Sequence, residues 1–209
     1  LTTKEKIPFT YDKLKEEPSI VRDASAPYMY SAREYDGEDI EKLSEWSRAE
    51  LINGKLYMLS APNRLHQYFV AELLFEIKSY IRKKNGKCDV YASPFDVRLF
   101  GDDSTIVQPD ILVVCNKDIL TEKGCSGAPD WVIEIVSKSN SSHDYVRKLM
   151  QYQKAGVREY WIVDPFQELL SVFDFEDAKK SGEYSYGEAV PSSVLEGFEI
   201  RFGEVVEGY

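Results

Sequence analysis

Histidine and cysteine are scarce in this chain, with two His and three Cys in 209 residues. His66 and His143 stand in no zinc-ligand spacing, and Cys88, Cys115 and Cys125 form no C-x-x-C pair. That argues against a zinc site. The odd cysteine count argues against a disulfide framework, so a reducing, cytosolic (cytoplasmic) setting is expected. No apolar run approaches the roughly 18 residues a spanning helix needs, so no membrane partner is expected. No charged-apolar-small signal pattern opens the chain. Positive charge is short too: 26 Lys and Arg stand against 36 Asp and Glu, a net charge of −10. A basic surface is the usual footprint of nucleic-acid binding, so any such reading must rest on a local patch. The strongest basic run, IRKKNGK (Ile81 to Lys87), reads first as the solvated last turn of a helix, with cations at the negative end of its dipole.

What is present points to one domain. The length suits a single sizeable core with appendages, and no internal repeat, low-complexity tract or linker divides the chain. Residues 1–35 are polar with scattered Pro and read as a peripheral arm, leaving residues 36–209 as the domain. A short helix is expected from Glu38 to Arg48. ELINGKLYML follows as a hairpin turning at Asn53-Gly54. Arg64 to Lys84 is an amphipathic helix with Leu65, Phe69, Leu73, Ile77 and Ile81 at helical spacing and Gly86 as a stop. Its aromatics Tyr68, Phe69 and Phe75 are read as core. CDVYA and FDVRLF are strands split by Ser93-Pro94, and IVQPDILVVC and DWVIEIVS are central strands. SSHDYVRKLMQYQKAG is a helix ending at Gly156, REYWIVDP is a buried strand, and ELLSVFDF, a Tyr-rich stretch and FEIRF would complete the sheet. Cys115 reads as a small buried side chain and His143 as a surface residue. The order indicates a mixed α/β sheet flanked by helices.

One residue does not fit its segment. Trp131 to Val136 would be a buried strand but for Glu134. An ionised carboxylate among apolar groups must pair, shift its pKa or bind a metal; the plainer reading is a half-exposed, solvated face. VQPDILVVC carries a second acid, Asp110. If the two strands pair antiparallel across the loop from Asn116 to Pro129, with Cys115 opposite Asp130, Asp110 faces Ile135. It then lies one residue from facing Glu134, within reach if the loop boundary shifts or a bulge intervenes. Two acids so close share a proton or a divalent cation, and hard oxygen donors suit Mg²⁺ or Mn²⁺.

On the following helix Asp144, Lys148 and Tyr152 share a face. Spacing alone favours a surface acid–base pair, with Val146, Leu149 and Met150 packing inward. The alternative aims Lys148 at the acids.

Taken in order, ELINGKLYML, VQPDILVV, GAPDWVIEIVS, the D…K…Y of the helix and GVREYWIVDP resemble the putative restriction endonuclease family of the PD-(D/E)XK nuclease superfamily, over roughly Ala49 to Phe173. The resemblance implies a restriction endonuclease-like mixed central sheet flanked by helices, with extra antiparallel strands, and Mg²⁺-dependent phosphodiester hydrolysis. It sets Asp110 on the PD position and Glu134 on the (D/E) position, both as metal ligands. The superfamily's Lys belongs two residues after that Glu, where this chain has Val136. Lys148 matches the displaced family Lys, with Lys138 as a local rival. Glu50 matches an upstream Glu near the metal, and His66, Asp144 and Tyr152 match recurring positions. Asp164 also matches but reads as the cap of a strand-end turn.

The leading expectation is a Mg²⁺-dependent DNA endonuclease, with Lys148 orienting water or stabilising the transition state. Two others stand beside it: a non-enzymatic binding module on the same fold, and a metal-dependent hydrolase of a small phosphodiester. Nucleases that cut both strands commonly work as dimers, so a homodimer is a further expectation.

Overall fold

The protein's structure, a computed structural model, describes residues 35–42, 48–137 and 142–209. Of the N-terminal arm only Tyr35 falls among them. In chain order the elements are helix α1 (Gly37–Glu41), strands β1 (Ala49–Ile52) and β2 (Lys55–Met58), helix α2 (Arg64–Lys83), strands β3 (Asp89–Ala92), β4 (Asp96–Arg98), β5 (Thr105–Val107), β6 (Ile111–Val114), β7 (Leu120–Thr121), β8 (Gly124–Ser126) and β9 (Trp131–Ile135). There follow helix α3 (Ser142–Ala155), strands β10 (Glu159–Asp164), β11 (Leu169–Asp174), β12 (Gly182–Ser185), β13 (Ala189–Pro191) and β14 (Glu199–Arg201), and helix α4 (Phe202–Val206). The first helix is shorter than expected, since Arg48 already leads into β1.

Local chemistry accounts for the boundaries. Asn53 and Gly54 both take positive φ, 50° and 73°, which closes the β1–β2 hairpin with the twist its strands need. Asn63 caps α2 by accepting the His66 N–H. Phe69, Leu73, Ile77 and Ile81 then line its buried side. Phe75, expected in the core, is instead 64% exposed: at 100° per residue it points away from both Leu73 and Ile77. Tyr68 is half-buried and donates to the Val205 carbonyl.

The central sheet has the order β12-β11-β10-β9-β6-β3 and is mixed: β9 and β10 are parallel, bridged by α3, and the other pairs are antiparallel. A second sheet, β2-β1-β5-β4-β8-β7, is antiparallel except at β4 and β8. Strand alternation divides the core in two. Trp131, Ile133, Ile135, Ile111 and Val113 pack toward α2, while Val132, Leu112 and Val114 pack with Leu149 and Tyr152 of α3 and with the second sheet.

Three expectations change. IVQPDILVVC is not one strand: Gln108–Pro109–Asp110 carries the chain from β5 in one sheet to β6 in the other, and Pro109 has no N–H for a ladder. FEIRF supplies β14, which among the described residues pairs only with β13 instead of extending the central sheet. Cys88 and Cys115 form a disulfide, with Cys125 left free and buried. The β3–β6 register pairs Asp89 with Val114, which makes Cys88 and Cys115 the next opposed residues. The cysteine count therefore no longer supports a reducing compartment.

Gly124 secures the parallel β4–β8 contact. Its φ is +148°, and a Cβ there would sit 2.2 Å from the Asp96 carbonyl oxygen. Gly124→Ala is expected to destabilise the fold by about 2–4 kcal/mol, read as a lowered urea midpoint; an unchanged midpoint would mean the two strands separate freely.

Candidate active site

Strands β1 and β9, helices α2 and α3 and the segment leading into β6 deliver polar side chains to one cleft at the end of the central strands. Ile111 pairs with Ile133, so the next position sets Asp110 opposite Glu134, one residue from the expected register. The reason lies at the other end of the pair. Cys115 does meet Asp130, but its N–H goes to the Asp130 carboxylate at 2.7 Å, while the Asp130 N–H reaches the Val113 carbonyl at 2.9 Å.

Glu134 is 3% exposed. Its Oε1 accepts from Lys148 Nζ at 3.0 Å and from the Tyr152 hydroxyl at 2.8 Å. Lys148, also 3% exposed, donates at 2.8 Å to Oε1 of Glu50. That same oxygen accepts the Gln108 N–H at 2.9 Å. Asp110 Oδ2 accepts the Ile135 N–H at 2.8 Å and lies 3.0 Å from His66 Nε2. The lone carboxylate in an apolar strand is thus compensated by a buried ammonium.

Helix α3 turns Tyr145, Lys148, Leu149 and Tyr152 inward and leaves Met150 64% exposed. The surface-pair reading of Lys148, with Met150 inside, is overturned because the wall facing the helix is acidic. Lys138 lies outside the described residues, as do the side chains of His143 and Asp144 on the first turn of α3. Asp164 is a turn cap: its Oδ1 accepts the Phe166 and Gln167 N–H groups.

Burial is the main force on the Glu134 carboxyl and pushes it up to about 8. Lys148 and the Tyr152 hydrogen bond pull it down, and Asp110 and Glu50 push it further up. Burial, with Glu134 and Glu50 nearby, holds the Tyr152 phenol well above its ordinary range.

Glu159 is equally buried and serves as a contrast. Its Oε1 accepts from Trp161 Nε1, and its Oε2 from Ser192 Oγ and the Ser193 and Val194 N–H groups. Both oxygens are spent, Oε1 within β10 and Oε2 on tying the loop at 192–194 to it. In Glu50, Asp110 and Glu134, by contrast, no hydrogen bond from a described residue reaches the second oxygen.

That difference decides whether a cation fits. Among the described residues no three His, Cys, Asp or Glu form a ligand cluster of their own. A small hard cation is commonly held by one or two carboxylates, with water and substrate oxygens completing the shell. Asp110 Oδ1 and Glu134 Oε2 are such donors, and both residues line the same cleft of about 60 Å³. The cleft also contains Gln108, from the VQPD stretch, and Arg48, which no motif marks. Strand alternation was the available signal for Arg48, since it stands two residues before Glu50 and so on the same side.

No curated protein matches the chain. The fold matches the crystal structure of a putative nuclease from Anabaena variabilis with a TM-score of 0.67, over 81% of this chain and 96% of that one, at 22% identity. No helix among the described residues is long and apolar enough to cross a membrane. Residues 36–203 match the family model described as putative restriction endonuclease, and the chain belongs to that family.

Proposed function

We propose that the protein is a Mg²⁺- or Mn²⁺-dependent endonuclease that hydrolyses DNA phosphodiester bonds inside the cell, with its activity in one domain over residues 36–209. The observation that carries this reading is the convergence of Glu50, Asp110, Glu134 and Lys148 from separate elements on one cleft, where no hydrogen bond from a described residue reaches the second oxygen of each acid. Asp110 and Glu134 are the residues that would hold the cation. When bound, such an ion supplies Lewis acidity that eases ionisation of water and offsets charge on the phosphate.

The chain's own groups do the rest. Lys148 presents an ammonium beside both Glu134 and Glu50, where it can orient the attacking water and neutralise charge developing on the phosphoryl oxygens. Tyr152 fixes the Glu134 carboxyl, and His66 with the Ile135 N–H fixes Asp110, so the donors are set before substrate arrives. With all three acids ionised, Arg48 and Lys148 leave the cleft one charge short of neutral. A divalent cation and one phosphodiester together supply the difference. Cutting both strands calls for two such sites, and a homodimer belongs to this reading.

The test is nicking of supercoiled plasmid and of single-stranded DNA in Mg²⁺ or Mn²⁺. Cation-dependent cleavage is expected, falling at least ~100-fold in EDTA. Turnover of bis-p-nitrophenyl phosphate but not of DNA would replace the DNA reading with a small-ester hydrolase. DNA binding without any cleavage would leave a binding module.

A further inference from the structure

Arg48 is the second cation of the cleft, and it is held differently from Lys148. Its Nε donates to Gln108 Oε1 at 3.0 Å, and Nη2 donates to Ser93 Oγ. Both partners are neutral. The Gln108 amide has one workable orientation: its Nε2 donates at 2.8 Å to Asp96 Oδ1, which can only accept when ionised, so its carbonyl oxygen is left for Arg48. Ser93 in turn donates its N–H to the Asp110 carbonyl at 3.0 Å. The guanidinium is therefore tied to the same short segment that presents Asp110.

Among the described residues no carboxylate pairs with Arg48, although three line its cleft. The nearest in sequence, Glu50, gives its bonded oxygen to Lys148 and Gln108. A guanidinium carries five N–H donors, and the two bonds above leave three. A positioned fork with spare donors, beside acids that would face a cation, suits a phosphate oxygen better than any other common ligand.

We infer that Arg48 anchors the substrate phosphate, through a non-bridging oxygen, and so sets which phosphodiester lies against Asp110 and Glu134. The inference rests on the nuclease reading but fails separately from it. The experiment compares wild type, Arg48→Gln and Arg48→Lys, each checked for an unchanged urea midpoint. Two readouts are taken: steady-state cleavage of a DNA oligonucleotide at several salt concentrations, and calorimetric binding of inorganic phosphate with Mg²⁺.

For Arg48→Gln, KM should rise about 10- to 100-fold with kcat changed less than about 10-fold, as for loss of a charge-assisted bond made to substrate. The log–log salt slope should fall by about one, and phosphate binding should weaken by a similar factor. Arg48→Lys, which keeps charge but not the fork, should lie between. An unchanged KM and salt slope in an active Arg48→Gln protein would overturn the anchor and leave the nuclease reading standing. A loss confined to kcat would also overturn it. Arg48-dependent phosphate binding without DNA cleavage would keep the anchor and remove the nuclease. Neither cleavage nor phosphate binding by wild type would overturn both. Should Arg48→Gln fail to fold, Arg48→Lys decides by KM and phosphate binding alone, since the retained charge keeps the salt slope: both unchanged would overturn the anchor.

Discussion

Lys148→Met is expected to lower the unfolding free energy by about 3–5 kcal/mol, the usual size when one partner of a buried ion pair is removed. The ammonium lies 2.8 Å from Glu50 and 3.0 Å from Glu134, and all three residues are at most 3% exposed. Methionine roughly matches the lysine stem in volume, so the loss is electrostatic and not a cavity. Glu134 loses little at neutral pH, because burial holds its carboxyl near 8 and it already keeps its proton. Glu50 then faces an apolar thioether with only the Gln108 N–H to hold it. Thermal melts should fall by roughly 10 °C, at about 2–4 °C per kcal/mol for a chain of this size. Adding Glu50→Gln should recover most of the loss, since a buried polar trio is replaced by neutral groups. A single variant melting within about 2 °C of wild type would show that Lys148 is not what compensates the acids.

The features legible in the sequence are those that depend on near neighbours. Helix α2 and strands β9 and β10 end within a residue or two of where their apolar spacing and Gly or Pro stops put them, because those signals are local. The sheet each strand joins is a long-range choice. Nothing within IVQPDILVVC says that its two halves enter different sheets, and nothing within FEIRF says that it pairs with β13. The disulfide follows the same rule, since Cys88 and Cys115 are 27 residues apart and become opposed only through the β3–β6 register.

Within the site, Glu134 was visible as a charge where the strand pattern demands an apolar residue, and Asp110 as an acid just before the facing strand. Their register could be read only to one residue, because a side-chain bond from Asp130 and a backbone bond look alike in sequence. The direction of Lys148 was not legible from spacing, and only the family resemblance aimed it at the acids. An Asp144–Lys148–Tyr152 stripe is consistent with facing water or facing acids, and the choice is made by Glu50 and Glu134, which arrive from β1 and β9.

Glu134→Gln should separate function from stability, because its two effects run in opposite directions. Burial holds the Glu134 carboxyl near 8, against 4.5 in an unfolded chain. Between those values the folded protein keeps a proton that the unfolded chain has lost. Folding then takes up a proton, so stability falls as pH rises from about 4.5 and the loss is complete above about 8. Glutamine keeps the shape and an acceptor for Lys148 and Tyr152 but cannot ionise. At pH 5 the variant and wild type should unfold within about 0.5 kcal/mol of each other. At pH 9 the shift from 4.5 to about 8, with the pull of Lys148 already included, puts the variant's advantage at no more than about 5 kcal/mol. DNA cleavage should meanwhile drop at least ~10³-fold, as when a group that stabilises the transition state is removed. Mn²⁺ binding to wild type should strengthen from pH 6 to pH 8 with release of a proton, and the variant should show neither effect. Wild-type cleavage by Glu134→Gln, or a variant that loses ground to wild type as pH rises, would mean that this carboxyl is buried for architecture and not for chemistry.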